Sequence, residues 1–430
     1  MCGCPKCHFR IYVSADSVEK SGLPPTLSRR SRTRQKKRRF EANEVPVHWE
    51  KGDVFMGMYK VVGVLGKGGM GIVYKVRHLE WGINMAVKSL RAELLSRAGL
   101  TEVFEKECET WVNLAPHPNS VKCYYVRRMG GAPRVFVEYV RGQSLHSSMY
   151  DGSLYQGTAE ETRARILDSL IQFCWGLHHA HEQGVIHQDV KPSNVMIGKD
   201  GVAKVTDFGL ARFRLAPNTN GVVYDHRALG GTPSFRSPEQ KVRGEATPKI
   251  DIWGWGLSAL ALFNGALNWY EGERAQQVLA DYRRNGPLRS AVPPMPDEVA
   301  QLLQWCFEES PDKRPEDLAV VAHELEDIYR QYQGTPYPRP HPQAVVLNAD
   351  ILNNRAVSLL DLRKEQEARI LWDEAIELNP RHIESHYNKN LHLWRSGELT
   401  DSRVFEALSR VETLDADPAL LRYLYGRLLL

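Results

Sequence analysis

The sequence predicts an α+β protein with a β-rich first part, a helical second part, and an all-α segment behind a proline-dense connector. Three observations carry that expectation. Alternating apolar residues in 60–65 and 72–76 flank a glycine cluster at 66–71, the pattern of a hairpin with a glycine tip. Ile166, Leu170, Phe173, Leu177 and Ala180 recur at helical spacing. Residues 334–342 hold four prolines, which excludes a helix and favours an extended, semi-rigid connector, and beyond them helical spacing resumes.

Bulk composition sets limits on the rest. The 430 residues have room for two or three domains, and 42% hydrophobic with 25% charged is ordinary for a chain that buries a core. Seven cysteines, mostly scattered singly (Cys108, Cys123, Cys174, Cys306), point to a reducing compartment, hence the cytoplasm, and not to a disulfide framework. No signal peptide is visible. The longest apolar run, 252–263, is shorter than the roughly 20 residues a spanning helix needs and is interrupted by glycines. It reads as a buried helix, with no transmembrane segment expected.

The net charge of +4 conceals an asymmetry, because residues 1–40 alone carry eleven Lys/Arg and two acids. The basic run 28–39 is too charged to bury and is expected to stay disordered as a solvated linker, without a specific nucleic-acid partner. Ahead of it, Cys4 and Cys7 have the two-residue gap that lets two thiolates face one zinc, with Cys2 and His8 nearby. No second cysteine pair stands at a matching spacing, so a flexible cysteine-bearing terminus is the stronger reading. This tail is taken as 1–54.

The chemistry is concentrated in 187–194, His-Gln-Asp-Val-Lys-Pro-Ser-Asn. A carboxylate such as Asp189 accepts a hydroxyl proton, the Lys191 ammonium neutralises charge on a transferring phosphoryl group, and the Asn194 amide oxygen is a hard ligand suited to Mg²⁺. Thirteen residues on comes Asp207-Phe208-Gly209, offering a second oxygen ligand. Upstream lie Gly66-Lys67-Gly68-Gly69-Met70-Gly71, where glycines let backbone N–H groups approach phosphate oxygens, and Met85-Ala86-Val87-Lys88. A lone glycine triplet is weak, but this ordered set resembles the signature of protein kinases, and closely that of the bacterial-type (eukaryotic-like, Hanks-type) Ser/Thr kinases.

That resemblance implies a two-lobed protein-kinase fold over 55–330, with a small β-rich lobe and a large helical lobe. It implies ATP with Mg²⁺ (or Mn²⁺) as cofactors and protein Ser/Thr hydroxyls as acceptors. In the small lobe, Leu65, Gly66, Lys67, Gly68, Gly69, Met70 and Gly71 would cover the nucleotide, Val73 and Ala86 would cap the adenine, and Lys88 would pair the α/β-phosphates. Lys88 needs an acidic partner on the next helix. Glu107 is preferred, with Glu105 and Glu109 in reserve. Backbone groups of Glu138 and Val140, in the inter-lobe linker, would meet the adenine, with Met196 as its floor. Asp189 would be the general base, Lys191 the γ-phosphate contact, and Asn194 and Asp207 the metal ligands. His178, His179 and His181 read as helix-face residues, since no carboxylates stand at a ligand spacing.

Further positions carry scaffold expectations. Thr232 would contact Asp189 and Lys191, which points to Ser/Thr acceptors. Glu239 and Arg314 would form a buried ion pair, and Asp251 would brace the catalytic loop. One position departs from the commonest pattern: Gln188 stands where many kinases have an arginine that meets a phosphate on the activation loop, and an amide makes no charge-assisted pair. Activity is therefore expected not to depend on loop phosphorylation, for which Thr219 and Tyr224 are the only hydroxyls between Leu210 and Gly231.

Behind the linker at 331–342, residues 343–430 are expected to form helical repeats. Leu352, Ala356, Leu359, Ala368, Trp372 and Ala375 fall at the packing positions of a 34-residue tetratricopeptide repeat over 349–382. A looser copy follows to about Val411, and 418–430 would begin a third. The alternative is a kinase-specific helical extension. Stacked repeats form concave surfaces, so a protein partner is expected there. The functional expectation is a signalling Ser/Thr protein kinase that also phosphorylates itself. The alternative is a pseudokinase scaffold that binds nucleotide and partners, against which stand Lys88, Asp189, Asn194 and Asp207.

Overall fold

A computed structural model describes residues 39–40, 44–68, 71–95, 100–208, 212–213, 232–241, 246–343 and 345–412. Its strands, in chain order, are β1 (Arg39–Phe40), β2 (Val54–Phe55), β3 (Tyr59–Lys67), β4 (Gly71–His78), β5 (Ile83–Leu90), β6 (Cys123–Met129), β7 (Ala132–Glu138), β8 (Gly142–Ser144), β9 (Val185–Ile186), β10 (Val195–Gly198), β11 (Ala203–Val205) and β12 (Arg212–Phe213). Its helices are α1 (Leu100–Asn113), α2 (Leu145–Tyr150), α3 (Ala159–Glu182), α4 (Pro248–Asn264), α5 (Ala275–Asn285), α6 (Asp297–Cys306), α7 (Leu318–Gln333), α8 (Ala349–Asp361), α9 (Glu365–Leu378), α10 (Ile383–Arg395) and α11 (Asp401–Glu412). The described residues divide into two compact units: the first takes those up to Asn113, Cys123–Tyr139 and those from Val346, and the second takes those in Leu114–Lys122 and Val140–Val345.

The first unit is built on one sheet of order β1-β2-β3-β4-β5-β7-β6. The expected glycine-tipped hairpin is present, with Lys67 opposite Ile72 and Tyr59 opposite His78. Strand β4 alternates half-buried and buried residues along its whole length, as a sheet with one packed face requires. Residues 44–54, assigned to the tail on composition, belong to this core: Val45 and Trp49 are buried beside Phe55, Tyr74 and Phe136. Arg134 holds them there. Its fully buried guanidinium lies 4.0 Å over the Trp49 ring and donates to Val47 O (2.6 Å), Pro46 O (3.2 Å), Met129 O (3.3 Å) and Ser89 Oγ (2.9 Å). Burial lowers its pKa to about 10, so it stays charged at neutral pH, satisfied by carbonyls in place of a carboxylate.

Residues 346–412 pack with this same unit. Helices α8 and α9 pack together as one pair and α10 and α11 as another. The six expected packing positions are all buried, and Trp372 Nε1 donates to Asn353 Oδ1 at 3.0 Å. Residues 418–430 lie outside the described residues.

Around α3 and α4 the second unit is helical. Helix α3 starts at a capping box, Thr158 with Glu161, and covers the periodicity read at 166–181. In α4 every residue from Ile250 to Asn264 is buried, as expected for the long apolar run, and Gly265 ends the helix at φ 79°. No described helix is long and apolar enough to cross a membrane. The proline-dense connector, which is not helical over 334–342, is strapped to this unit: Arg339 makes a two-pronged bond to Asp168 (2.7 and 2.9 Å), Tyr337 Oη donates to Asp168 (2.7 Å), and Trp175 meets His341 edge-on.

Candidate active site

The first unit carries the nucleotide-side residues. Lys88 on β5 stands opposite Val73 of β4 and Val135 of β7, and Ala86, two residues earlier, shares its face of the strand. Helix α1 brings Glu107 to it: Lys88 Nζ donates to Glu107 Oε1 at 2.5 Å, with Glu107 only 2% exposed. A carboxylate this buried is tolerable only with its counter-ion in contact. The two reserve candidates are engaged elsewhere, Glu105 with Arg128 and Glu109 with Lys364. At the hairpin tip, Leu65, Gly66 and Lys67 are exposed at the end of β3, and the Gly68 N–H donates to Gly71 O at 2.8 Å. Gly69 and Met70 lie outside the described residues. Glu138 ends β7 opposite Met85, and the chain leaves this unit after Tyr139, within the stretch the sequence marked as the linker.

The second unit carries Val140, Met196 and the residues expected to be catalytic. Asp251 of α4 (1% exposed) accepts the backbone N–H groups of His187 (2.7 Å) and Gln188 (2.8 Å), which fixes the start of the loop. His181 reinforces it, with Nε2 2.8 Å from the same carboxylate. Gln188 sits at φ 64° and Asp207 at φ 61°, left-handed conformations that a residue with a Cβ holds only when its surroundings force them.

Asp189 is tied on both oxygens. Oδ1 accepts the Thr232 N–H (2.9 Å) and hydroxyl (3.1 Å), and Oδ2 accepts Lys191 Nζ (2.5 Å) and Asn194 Nδ2 (3.3 Å). Lys191 Nζ also donates to Thr232 Oγ1 at 2.5 Å, so the contact expected of Thr232 is present. Burial pushes the Asp189 pKa up, but the Lys191 ammonium and the Thr232 amide outweigh it and hold the carboxyl below its usual range. At neutral pH it is an ionised acceptor.

Asn194 Nδ2 is occupied by Asp189, principally its backbone O at 2.9 Å, which leaves the amide oxygen as the donor atom for a ligand. The Thr206 N–H donates to Asn194 O (2.9 Å), and His187 Nε2 meets Thr206 O (2.9 Å), so the segment ending in Asp207 is bonded to the one ending in Asn194. An amide oxygen and a carboxylate on joined segments are a hard oxygen set that suits Mg²⁺. Met196 lies on β10 between Ser144 of β8 and Lys204 of β11. Gly209, Thr219 and Tyr224 fall outside the described residues, as do Cys4 and Cys7. Among the described residues no cluster of three or more His, Cys, Asp or Glu is placed to hold a metal.

The expected scaffold contacts form, although the Glu239 side chain of the ion pair is a quarter exposed and not buried. Arg314 (2% exposed) makes a two-pronged bond to Glu239, at 2.6 and 2.9 Å. Two contributors had no sequence signal. His181, expected on a helix face, bonds a residue 70 positions away, and Gln240 Nε2 donates to Gln188 O at 3.0 Å.

The protein kinase domain family model matches residues 59–325. This chain belongs to the protein kinase domain family. Among its relatives, serine/threonine-protein kinase pkn2 of Myxococcus xanthus is 30% identical over 302 residues, covering 67% of this chain and 35% of that protein. Serine/threonine-protein kinase Pkn1 of the same organism is 31% identical over 267 residues (61% and 36%), and CBL-interacting protein kinase 12 of Oryza sativa subsp. japonica is 32% identical over 243 (55% and 42%). The matched part of this chain thus spans between a third and a half of each relative's length. Within the kinase domain, both the Lys88–Glu107 pair and the Asp189–Lys191–Thr232 knot are formed.

Proposed function

We propose that the chain is a Ser/Thr protein kinase that transfers the ATP γ-phosphoryl group to protein Ser/Thr hydroxyls, itself included, in signal transduction. The observation that carries this is the Asp189 carboxylate, ionised and fixed by Thr232, Lys191 and Asn194. The names of the relatives support the acceptor class, since pkn2 and Pkn1 are called serine/threonine-protein kinases. In this reading Asp189 accepts the substrate hydroxyl proton as the oxygen bonds the γ-phosphorus, and the bond from that phosphorus to the bridging oxygen of ADP breaks. Lys191 neutralises charge on the transferring group, and Lys88, steadied by Glu107, orients the α/β-phosphates. By the resemblance, Val73 and Ala86 would cap the adenine, Met196 would be its floor, and backbone groups of Glu138 and Val140 would meet it. Asn194 and Asp207 would hold Mg²⁺, which supplies neutralisation of phosphate charge.

Helices α8 to α11 are read as two tetratricopeptide-like repeats that hold a protein partner, supported by the six buried positions at repeat spacing. Cytoplasmic residence belongs to the proposal as well, supported by the free thiols of Cys108, Cys174 and Cys306.

The test is labelled-ATP transfer to a generic basic protein acceptor by wild type and Asp189→Asn. Wild type transfers label, and the variant loses about 10²–10⁴-fold, the usual worth of a positioned general base. Equal transfer by both removes the enzyme reading.

A further inference from the structure

We infer that Lys364, in the turn between α8 and α9, is a positioning residue for phosphotransfer: it pins α1 so that Glu107 stays bonded to Lys88. The inference rests on the kinase reading above and adds a role for the C-terminal helices in holding α1, beside the anchor that Arg128 makes to Glu105.

Three acids on α1 have separate duties. At 100° per residue, Glu105 and Glu109 share one helix face, and Glu107 points the opposite way. Glu107 reaches Lys88 on the sheet. Glu109 accepts Lys364 Nζ at 2.5 Å, and Glu105 accepts the Arg128 guanidinium of β6. The helix is therefore held on both faces, and one of its anchors comes from 255 positions away in the chain.

The anchor is itself seated. Helix α8 packs along β6 and against α1 within the same unit. The Val126 N–H of β6 donates to Ser358 Oγ at 3.0 Å, with Ser358 fully buried, and the Arg128 N–H donates to Asp361 Oδ2 at 3.0 Å. These side chains of α8 cap the outer edge of a seven-stranded sheet, where backbone donors would otherwise lack partners. Arg363, at φ 63°, turns the chain so that Lys364 faces α1, and Glu367 steadies the ammonium at 3.1 Å. Burial pulls the Lys364 pKa down, but bonding to Glu109 and Glu367 outweighs it and keeps the side chain charged.

Arg128 and Lys364 together hold the face opposite Glu107, so losing Lys364 loosens that hold and lets Glu107 leave Lys88 part of the time. The active fraction then falls, and the observed rate falls with it.

The experiment uses the full chain and measures kcat and KM for ATP, with melting temperature as a control and hydrogen exchange along α1 as a readout independent of activity. Lys364→Ala and Glu109→Gln each lower kcat/KM for ATP by about five- to tenfold, in the range of ordinary coupling energies, and speed exchange around Glu107. Lys364→Arg restores most of the rate, and the charge-swapped double variant, Lys364→Glu with Glu109→Lys, outperforms either single reversal. Active wild type with Lys364→Ala equally active overturns the inference alone, as does a loss that neither Lys364→Arg nor the swap recovers. Wild type no more active than Asp189→Asn overturns the kinase reading and this inference with it.

Discussion

At the scale of single residues, Gln188 is held by its backbone and not by its side chain. Its N–H is bonded to Asp251, its carbonyl accepts from Gln240, and its side-chain Nε2 is buried with no hydrogen-bond partner among the described residues. A neutral amide gives a loop phosphate no charge-assisted anchor, while Asp189 is already fixed by Lys191 and Thr232. The double variant Thr219→Ala, Tyr224→Phe should keep the wild-type transfer rate in the labelled-ATP assay. Loss of transfer would mean that a modified loop hydroxyl is needed after all.

Among secondary-structure elements, α3 sets the position of the strand that leads to Asp207. Gly176 is the point of closest approach: a Cβ there would lie 2.3 Å from Asn119 O and 2.7 Å from Val205 Cγ2. Asn119 is in turn bonded to β11 through Val205 N (2.8 Å) and Ala203 O (3.0 Å), and Gln172 of α3 bonds both Asn119 and Ala203. Added bulk has backbone on one side and a packed valine on the other. Gly176→Ala should therefore cost about 1–3 kcal/mol, the range for overpacking, and lower transfer by displacing β11. Urea unfolding monitored beside activity checks it. A variant as stable and active as wild type would show that α3 can retreat without moving the strand.

Across the whole molecule, each unit buries a neutral histidine. In the first, His78 Nδ1 accepts the Trp81 N–H (3.1 Å), and burial, helped by Arg127, lowers its pKa to about 4. In the second, His117 Nδ1 accepts the Asn119 N–H (3.1 Å), and burial, with His179 stacked on it, lowers its pKa to about 3. Both folded values lie below the unfolded one near 6.5, so the unfolded chain binds the extra protons on acidification. The stabilisation is complete above that value and is lost as pH falls toward the folded pKa. Between pH 6.5 and 5 this should remove about 1–2 kcal/mol per histidine, read as a falling melting temperature. His78→Gln and His117→Gln should each flatten the slope, and a slope unchanged in both would assign acid sensitivity to other groups.

What the sequence determined by itself is the local chemistry. Asp189, Lys191 and Asn194 lie within six positions of one loop, so their spacing in the chain nearly fixes their spacing in space, and the periodicities at 60–76 and 166–181 belong to single elements. Distant pairings such as Lys88 with Glu107 and Thr232 with Asp189 were legible only through the family resemblance, and pairings outside its motifs were decided by the tertiary structure. Glu107, already preferred over its neighbours, meets Lys88 because of the face that α1 turns to β5, whereas the bond from His181 to Asp251, which closes over 70 positions, had no such signal. Residues 44–54 looked like tail because the Arg134 that holds them is nearly ninety positions away. The docking of α8 on β6 and of Lys364 on Glu109 likewise left no periodic trace, because such contacts arise from complementary surfaces that meet only after each element has formed.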